Sequence, residues 1–333
     1  MAQLAREGTG APAPPRIGAT GAPGTTAGAD RRDPDALLPA TTGMDAVTLH
    51  VADLAGMTDY YRDALGLERL DGAATTTALD AATRHTGGRA PQVVVLGRAS
   101  TPLVVLVHTP GLPGQRRGEA GLFHTALLFP DRAALAAVLL RAAQHPRSRY
   151  VGSADHLVSE AFYFTDPEGN GIELYRDRPR ETWTWTAAGG VVMDSLPLDA
   201  TAFVREHSAP DSARTAEVGH VHLKVGDIAT ARRFYADALG FEVTADLGSA
   251  LFVSAGGYHH HMAMNTWQSR GAGARAATLG LGQVSLTVPS RDDLAALGAR
   301  LRAHGVTPRD DGRTLRFEDP WRTLLEVSAA GSR

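Results

Sequence analysis

The chain has 333 residues, enough for two ordinary domains that each bury a core. Hydrophobic residues at 43%, charged residues at 21% and a net charge of -3 describe a globular protein with no electrostatic pull toward nucleic acid or an anionic membrane. There is no cysteine, which excludes disulfides, thiolate ligands and thiol nucleophiles, and 13 histidines leave nitrogen and oxygen donors for any metal chemistry.

Residues 1–40 are rich in Ala, Gly, Pro and Thr. Such a stretch buries too little surface to offset its ordering entropy and reads as a disordered tail. It has no apolar segment of signal-peptide type, and no apolar run in the chain approaches the roughly 20 residues needed to cross a bilayer. The expectation is a cytoplasmic protein without membrane or nucleic-acid partners; the sequence does not speak to homo-oligomerisation.

From residue 44 the chain repeats itself. Val51 to Asp53 ends a strand, and Asp53 then caps an amphipathic helix that stops at Gly66. The same pattern returns from Val225 and Asp227 to Gly240. Alternating apolar residues follow each helix, at 93–96 and 103–107, then at 251–253 and 261–265. A second kind of unit covers 121–175: a strand, a helix over 132–143, a strand, a turn at Asp166, and a last strand with Glu173. Residues 280–327 do the same, with a helix over 291–303, a turn at Asp319 and Glu326 the same seven residues beyond it. These patterns predict four βαβββ modules at about 44–109, 119–178, 217–267 and 278–329. Paired along the chain they make domains of 44–178 and 217–329. The stretch 179–216, with Trp183 and Trp185, reads as a connector packed across the two.

Strand parity marks a candidate site. His220, His222 and Lys224 share one face of a strand whose other face is Val221, Leu223 and Val225. His124 and Ala126 likewise oppose Thr125 and Leu127, and Glu173 opposes Ile172 and Leu174. A carboxylate on the inner face of a cupped sheet is costly unless it is paired or bound to metal. His50, His85, His108, His145, His207 and His304 stand on helices, loops or isolated strand positions and read as structural. Glu326 has no histidine partner in its own module and reads as a rim or salt-bridged carboxylate.

The spacing from His156 through Phe162 and Tyr163 to Asp166, Pro167, Gly169 and Glu173 resembles the signature of the type I extradiol ring-cleaving dioxygenases of catechol 2,3-dioxygenase kind, in the vicinal oxygen chelate superfamily. Ala154 stands where that signature has a Gly-like residue. The run from Phe252 to Trp267, with His259, His260 and His261, resembles the bacterial two-domain branch of the same family.

The resemblance implies an α+β fold in which four βαβββ modules form two barrels. It carries metal ligation to His124, Glu173 and His220. It also implies an Fe(II) cofactor, with Mn(II) as the alternative, and a catechol-type substrate cleaved with O2. In the commonest arrangement the third and fourth modules hold the metal. Here Gln283 stands where the second module has His124, and Ala46 where the third has His220. Modules two and three are therefore expected to share the metal barrel.

Acid–base roles carry over to His156 and Tyr163 and to a histidine on the strand containing the triple-His run. Alignment favours His261, with His260 as the competing choice. Asn265 and Trp267 are expected to shape the substrate pocket. A glyoxalase-type isomerase or thiol transferase on the same fold needs a fourth ligand, which is absent. A metal-free binding or resistance protein would not keep His, His and Glu on matched strands.

Overall fold

The computed structural model describes residues 36–71, 91–187, 189–209 and 215–331. Most of the proposed tail and His85 lie outside these residues. Two eight-stranded mixed sheets carry the fold, an α+β architecture. No helix among the described residues is long and apolar enough to cross a membrane.

Each sheet joins two modules. The first takes β1 (Gly43–Val51), β2 (Glu68–Leu70), β3 (Val93–Arg98) and β4 (Thr101–His108) from the first module. The second sheet takes β5 (Gly121–Leu128), β6 (Arg149–Asp155), β7 (Ser159–Thr165) and β8 (Gly171–Asp177) from the second module, with β9 (Glu217–Lys224), β10 (Glu242–Asp246), β11 (Ala250–Ser254) and β12 (Met262–Asn265) from the third. The fourth module supplies β13 (Gly280–Val288), β14 (Arg309–Asp310), β15 (Thr314–Glu318) and β16 (Leu324–Ala329) to the first sheet. Strand orders are β14-β15-β16-β13-β1-β4-β3-β2 and β10-β11-β12-β9-β5-β8-β7-β6. The first module thus pairs with the fourth through antiparallel β1 and β13, and the second with the third through antiparallel β5 and β9.

The helices follow from their local signals. In α1 (Leu54–Leu65), Met57, Tyr60, Tyr61, Ala64 and Leu65 are buried at helical spacing; the Asp53 side chain accepts from the Gly56 amide. Gly66 ends it with φ +66°, the left-handed conformation in which a Cβ is costly. The helix α2 (Arg132–Gln144) is capped by Asp131 and packs against α1. The matching segment of the third module begins after Asp227 as α-helix (Ile228–Ala231) and continues as a π-helical stretch (Arg232–Ala238). The main core gathers these helices and one face of each sheet. Its large fully buried side chains, Phe129, Phe162, Phe164 and Phe241 among them, each contribute about 1.5–3 kcal/mol by burial.

The connector packs on the second module and on the third. Residues 155 and 196 form an isolated bridge, and Phe203 of its short helix (Ala200–His207) packs on Phe162 with ring centroids 4.9 Å apart. Trp183 is buried beside Tyr258 and His259, whereas Trp185 is 43% exposed. The other faces of the two sheets differ sharply. In the first sheet that face is closed by Ala46, Val95, Val105 and Val107; in the second it holds histidines, Glu173 and a cavity.

Candidate metal and substrate site

The site is organised around Ala126. It pairs with Glu173 of parallel β8 on one side and with His220 of antiparallel β9 on the other. His124, two residues earlier on β5, points from the same face. Residue 126 has only a methyl side chain, so nothing stands between the three longer side chains. Glu173 Oε2 lies 2.9 Å from His124 Nε2 and 3.1 Å from His220 Nε2, and the donor atoms of the three residues all lie within 4.8 Å of one another. All three residues are buried.

The donor set fits a divalent cation. Burial alone would raise the Glu173 carboxyl, but the imidazoles of His220 and His124 hold it well below the usual range. Burial in turn pushes the His220 imidazole down to about 4. At neutral pH the consistent state is a neutral His220 beside an ionised Glu173, the form in which both can ligate a metal. His124 Nε2 is buried and, though 2.9 Å from the Glu173 carboxylate, makes no well-directed hydrogen bond among the described residues, the condition a bound cation would relieve.

The equivalent place in the first sheet is built differently. There β13 offers Gln283 and Ser285, and Glu326 pairs with Ser285 just as Glu173 pairs with Ala126. Arg316 stands opposite Glu326, where Tyr163 stands opposite Glu173, and its Nε donates to the Glu326 carboxylate. Glu326 is thus a buried ion pair, and the salt-bridged reading of the sequence holds.

A cavity of about 230 Å³ opens over the triad. His156 and Tyr163 line it together, with His156 Nε2 2.7 Å from the Tyr163 hydroxyl. His156 Nδ1 lies 2.7 Å from the Asp194 carbonyl of the connector, which can only accept. Neutral His156 therefore carries its proton on Nδ1 and accepts the Tyr163 O–H at Nε2. Burial, then the Glu173 charge, raise the Tyr163 phenol well above its ordinary value, so it stays a donor. Trp267 also lines the cavity, its indole N–H donating to Ser249 Oγ.

Two expected residues take other places. His261 does not line the cavity: its Nδ1 accepts from the Ala255 amide and its ring lies against Phe241 and Tyr258. His260 lines the cavity instead, its ring centroid 4.1 Å from that of His220. The strand expected over the triple-His run does not form there: β12 begins only at Met262, and residues 258–261 are a bend with no strict alternation. Asn265 is fully buried and lies behind the cavity wall, where its Nδ2 donates to His222 Nε2. It touches the site through His222 and is not a lining residue.

His222 is the residue that sequence reasoning passed over. It lines the cavity with its ring 4.9 Å from both His124 and Phe123, and burial lowers its pKa well below the ordinary value. The signal was present, since His222 shares its strand face with His220. His108 and His145 are engaged in local contacts away from the cavity, with the Ala52 carbonyl and with Tyr60.

The comparisons agree with this architecture. The Glyoxalase/Bleomycin resistance protein/Dioxygenase superfamily matches residues 43–174 and 217–327, and the chain belongs to that superfamily. A catechol-2,3-dioxygenase of Bacillus subtilis (strain 168) is 39% identical over 212 residues, covering 61% of this chain and 73% of that protein. Among solved structures, one from Bacillus subtilis subsp. subtilis str. 168 with a provisional dioxygenase designation superposes with a TM-score of 0.57 at 14% identity, over 87% of this chain and 85% of that one. Glyoxalase I from Zea mays gives a TM-score of 0.53 at 14% identity, over 88% and 94%. At such identities the structures speak for the fold alone.

Proposed function

We propose that this protein cleaves catechol or a substituted catechol beside the diol, using O2 and one Fe(II) held by His124, Glu173 and His220. The reaction places both oxygen atoms in the product, so that catechol becomes a 2-hydroxymuconate semialdehyde. The observation that carries the reading is the buried two-histidine, one-carboxylate cluster with the His156–Tyr163 pair beside it in the same cavity. Similarity to a catechol-2,3-dioxygenase supports it.

His124, Glu173 and His220 would hold the ion through two nitrogens and one carboxylate, and when bound it would supply Lewis acidity toward the diol and redox chemistry toward O2. The remaining chemistry belongs to side chains. His260 faces the cavity and would take a proton from the diol. Tyr163 would donate a hydrogen bond to a substrate oxygen. His156 accepts from Tyr163 while neutral; once protonated it reverses that bond and can return a proton to the ring-opened product. Phe123, His222 and Trp267, with centroids 4.9–5.6 Å apart, form an aromatic wall suited to a flat ring.

The test is anaerobic reconstitution with Fe(II) or Mn(II), metal analysis, and then addition of catechol and air-saturated buffer. Yellow semialdehyde formed with one O2 consumed per catechol supports the proposal. O2-independent turnover, or none with either metal, overturns it.

A further inference from the structure

The triple-His run leaves a second arrangement that the reaction as proposed does not use. Asp177, the last residue of β8, lies on the same strand face as Glu173 and Tyr175. Its Oδ1 is 2.8 Å from His259 Nε2, and its Oδ2 accepts from the Tyr258 hydroxyl at 2.9 Å. The Tyr258 hydroxyl is itself 2.8 Å from that of Tyr175. His259 is fully buried, under Trp183 and Tyr258, and its Nδ1 lies 2.8 Å from His260 Nδ1. An unbroken chain thus runs from Asp177 through His259 to the ring that faces the cavity.

We infer that Asp177 and His259 are positioning residues that hold His260 in a single orientation and tautomer, with its bare Nε2 turned to the substrate. The inference rests on the proposed ring-cleavage reading for its function, but its geometry stands apart from it. Asp177 accepts from the Tyr258 hydroxyl and lies within hydrogen-bond reach of His259 Nε2, and as a carboxylate it only accepts. His259 must then carry hydrogen on Nε2. A neutral His259 has only a lone pair at Nδ1, so His260 must supply the hydrogen between the two Nδ1 atoms. With Asp177 ionised and both rings neutral, no other placement of protons satisfies every contact. His260 Nε2 is left unprotonated, with no hydrogen-bond partner among the described residues.

An isolated neutral imidazole would divide between two tautomers and rotate about its bonds. The chain removes both freedoms, as partners behind an active-site imidazole do elsewhere. The Gly257 and Gly256 turn before it, with φ +66° and +62°, brings residues 258–261 back under the sheet so that three successive side chains can diverge. His260 lines the cavity and His259 packs behind it.

The inference is tested on the full chain loaded with Zn(II), a diamagnetic stand-in, carrying 15N-labelled histidine. Long-range proton–nitrogen correlations should show His260 protonated at Nδ1 and bare at Nε2. Asp177→Asn reverses the polarity at His259 and should mix or invert the His260 tautomer. His259→Gln keeps the polarity, since its amide can donate to Asp177 and its carbonyl can accept from His260; His259→Leu cannot. In Fe(II)-loaded protein, Asp177→Asn and His259→Leu should lower kcat about 10–100-fold with KM and metal content little changed, as loss of such supporting partners does. His259→Gln should recover most of that loss. A wild-type His260 protonated at Nε2, or Gln and Leu variants equally impaired, would overturn the inference. A wild type that cleaves no catechol but shows the expected tautomer would sink the functional proposal and leave the chain of contacts standing.

Discussion

Glu173 and His220, on different strands of different modules, are both direct cross-strand neighbours of Ala126. Their carboxylate and imidazole meet because the residue between them ends at its Cβ. Ala126→Leu should therefore separate them. Overpacking of this kind typically costs about 1–3 kcal/mol, and metal retention should fall while the far-ultraviolet circular dichroism stays native. Plasma emission analysis after dialysis reads the outcome; full metal content in this variant would show that the strand geometry does not control the cluster.

Glu173→Ala should abolish metal retention, and Glu326→Ala should leave one metal per chain. Glu326 is already matched by Arg316, so its loss should instead destabilise the first sheet, by about 3–5 kcal/mol for one partner of a buried ion pair. Metal stoichiometry and chemical denaturation separate the two effects. Two tightly held metals in the wild type would contradict the assignment.

His156→Ala and Tyr163→Phe should retain metal and lose about 10²–10⁴-fold in turnover, the usual cost of a positioned acid or base. His260→Ala should fall in the same range. His261→Ala should keep most activity, because its ring lies against Phe241 outside the cavity. Steady-state cleavage by metal-replete variants gives the comparison; a crippled His261→Ala beside a healthy His260→Ala would reverse the structural placement.

The modules are also joined by a repeated buried contact. Tyr61 of the first donates to Asp166 of the second at 3.0 Å, and Tyr235 of the third donates to Asp319 of the fourth at 2.9 Å. Burial raises Asp166 from 3.8 to about 6, against the lowering effect of its hydrogen bonds, Tyr61 included. A carboxyl raised on folding makes the native state costlier as pH climbs from near 4 through 6, and the cost is full above that. Tyr61→Phe removes a donor that eases this cost. It should destabilise by about 1.5–3 kcal/mol at pH 8, as for a hydrogen bond to a charged group, and by less at pH 5. Urea midpoints at the two pH values check the sign. Tyr235→Phe should follow the same course, since burial raises Asp319 to about 6 as well.

Gly219 precedes His220 on β9, and a Cβ there would come within 1.7 Å of the Tyr175 hydroxyl. Tyr175 is fully buried and cannot swing aside. Gly219→Ala should displace it, loosening both the metal cluster and the Tyr175–Tyr258–Asp177 contacts. The expected result is a lowered melting temperature together with reduced metal content; an unchanged melting temperature would mean that the strand can shift to make room.

Much of this was legible in the residues themselves. The repeats at Asp53 and Asp227, the paired turns at Asp166 and Asp319, and the alternation around His124, Glu173 and His220 are local, and local periodicity dictates which residues form a strand and which face they share. The spacing from His156 to Glu173 likewise lies within one hairpin, where register follows from the chain itself. Tertiary structure decided the rest. The bend over 258–261 breaks alternation, so only packing turns His260 to the cavity and His261 to Phe241. Asn265 and His222 meet across the paired strands β9 and β12 of the third module, and Asp177 of the second module meets His259 of the third across a separation of 82 residues. The first depends on strand pairing and the second on how the two modules close on each other, and no periodicity in a single strand encodes either.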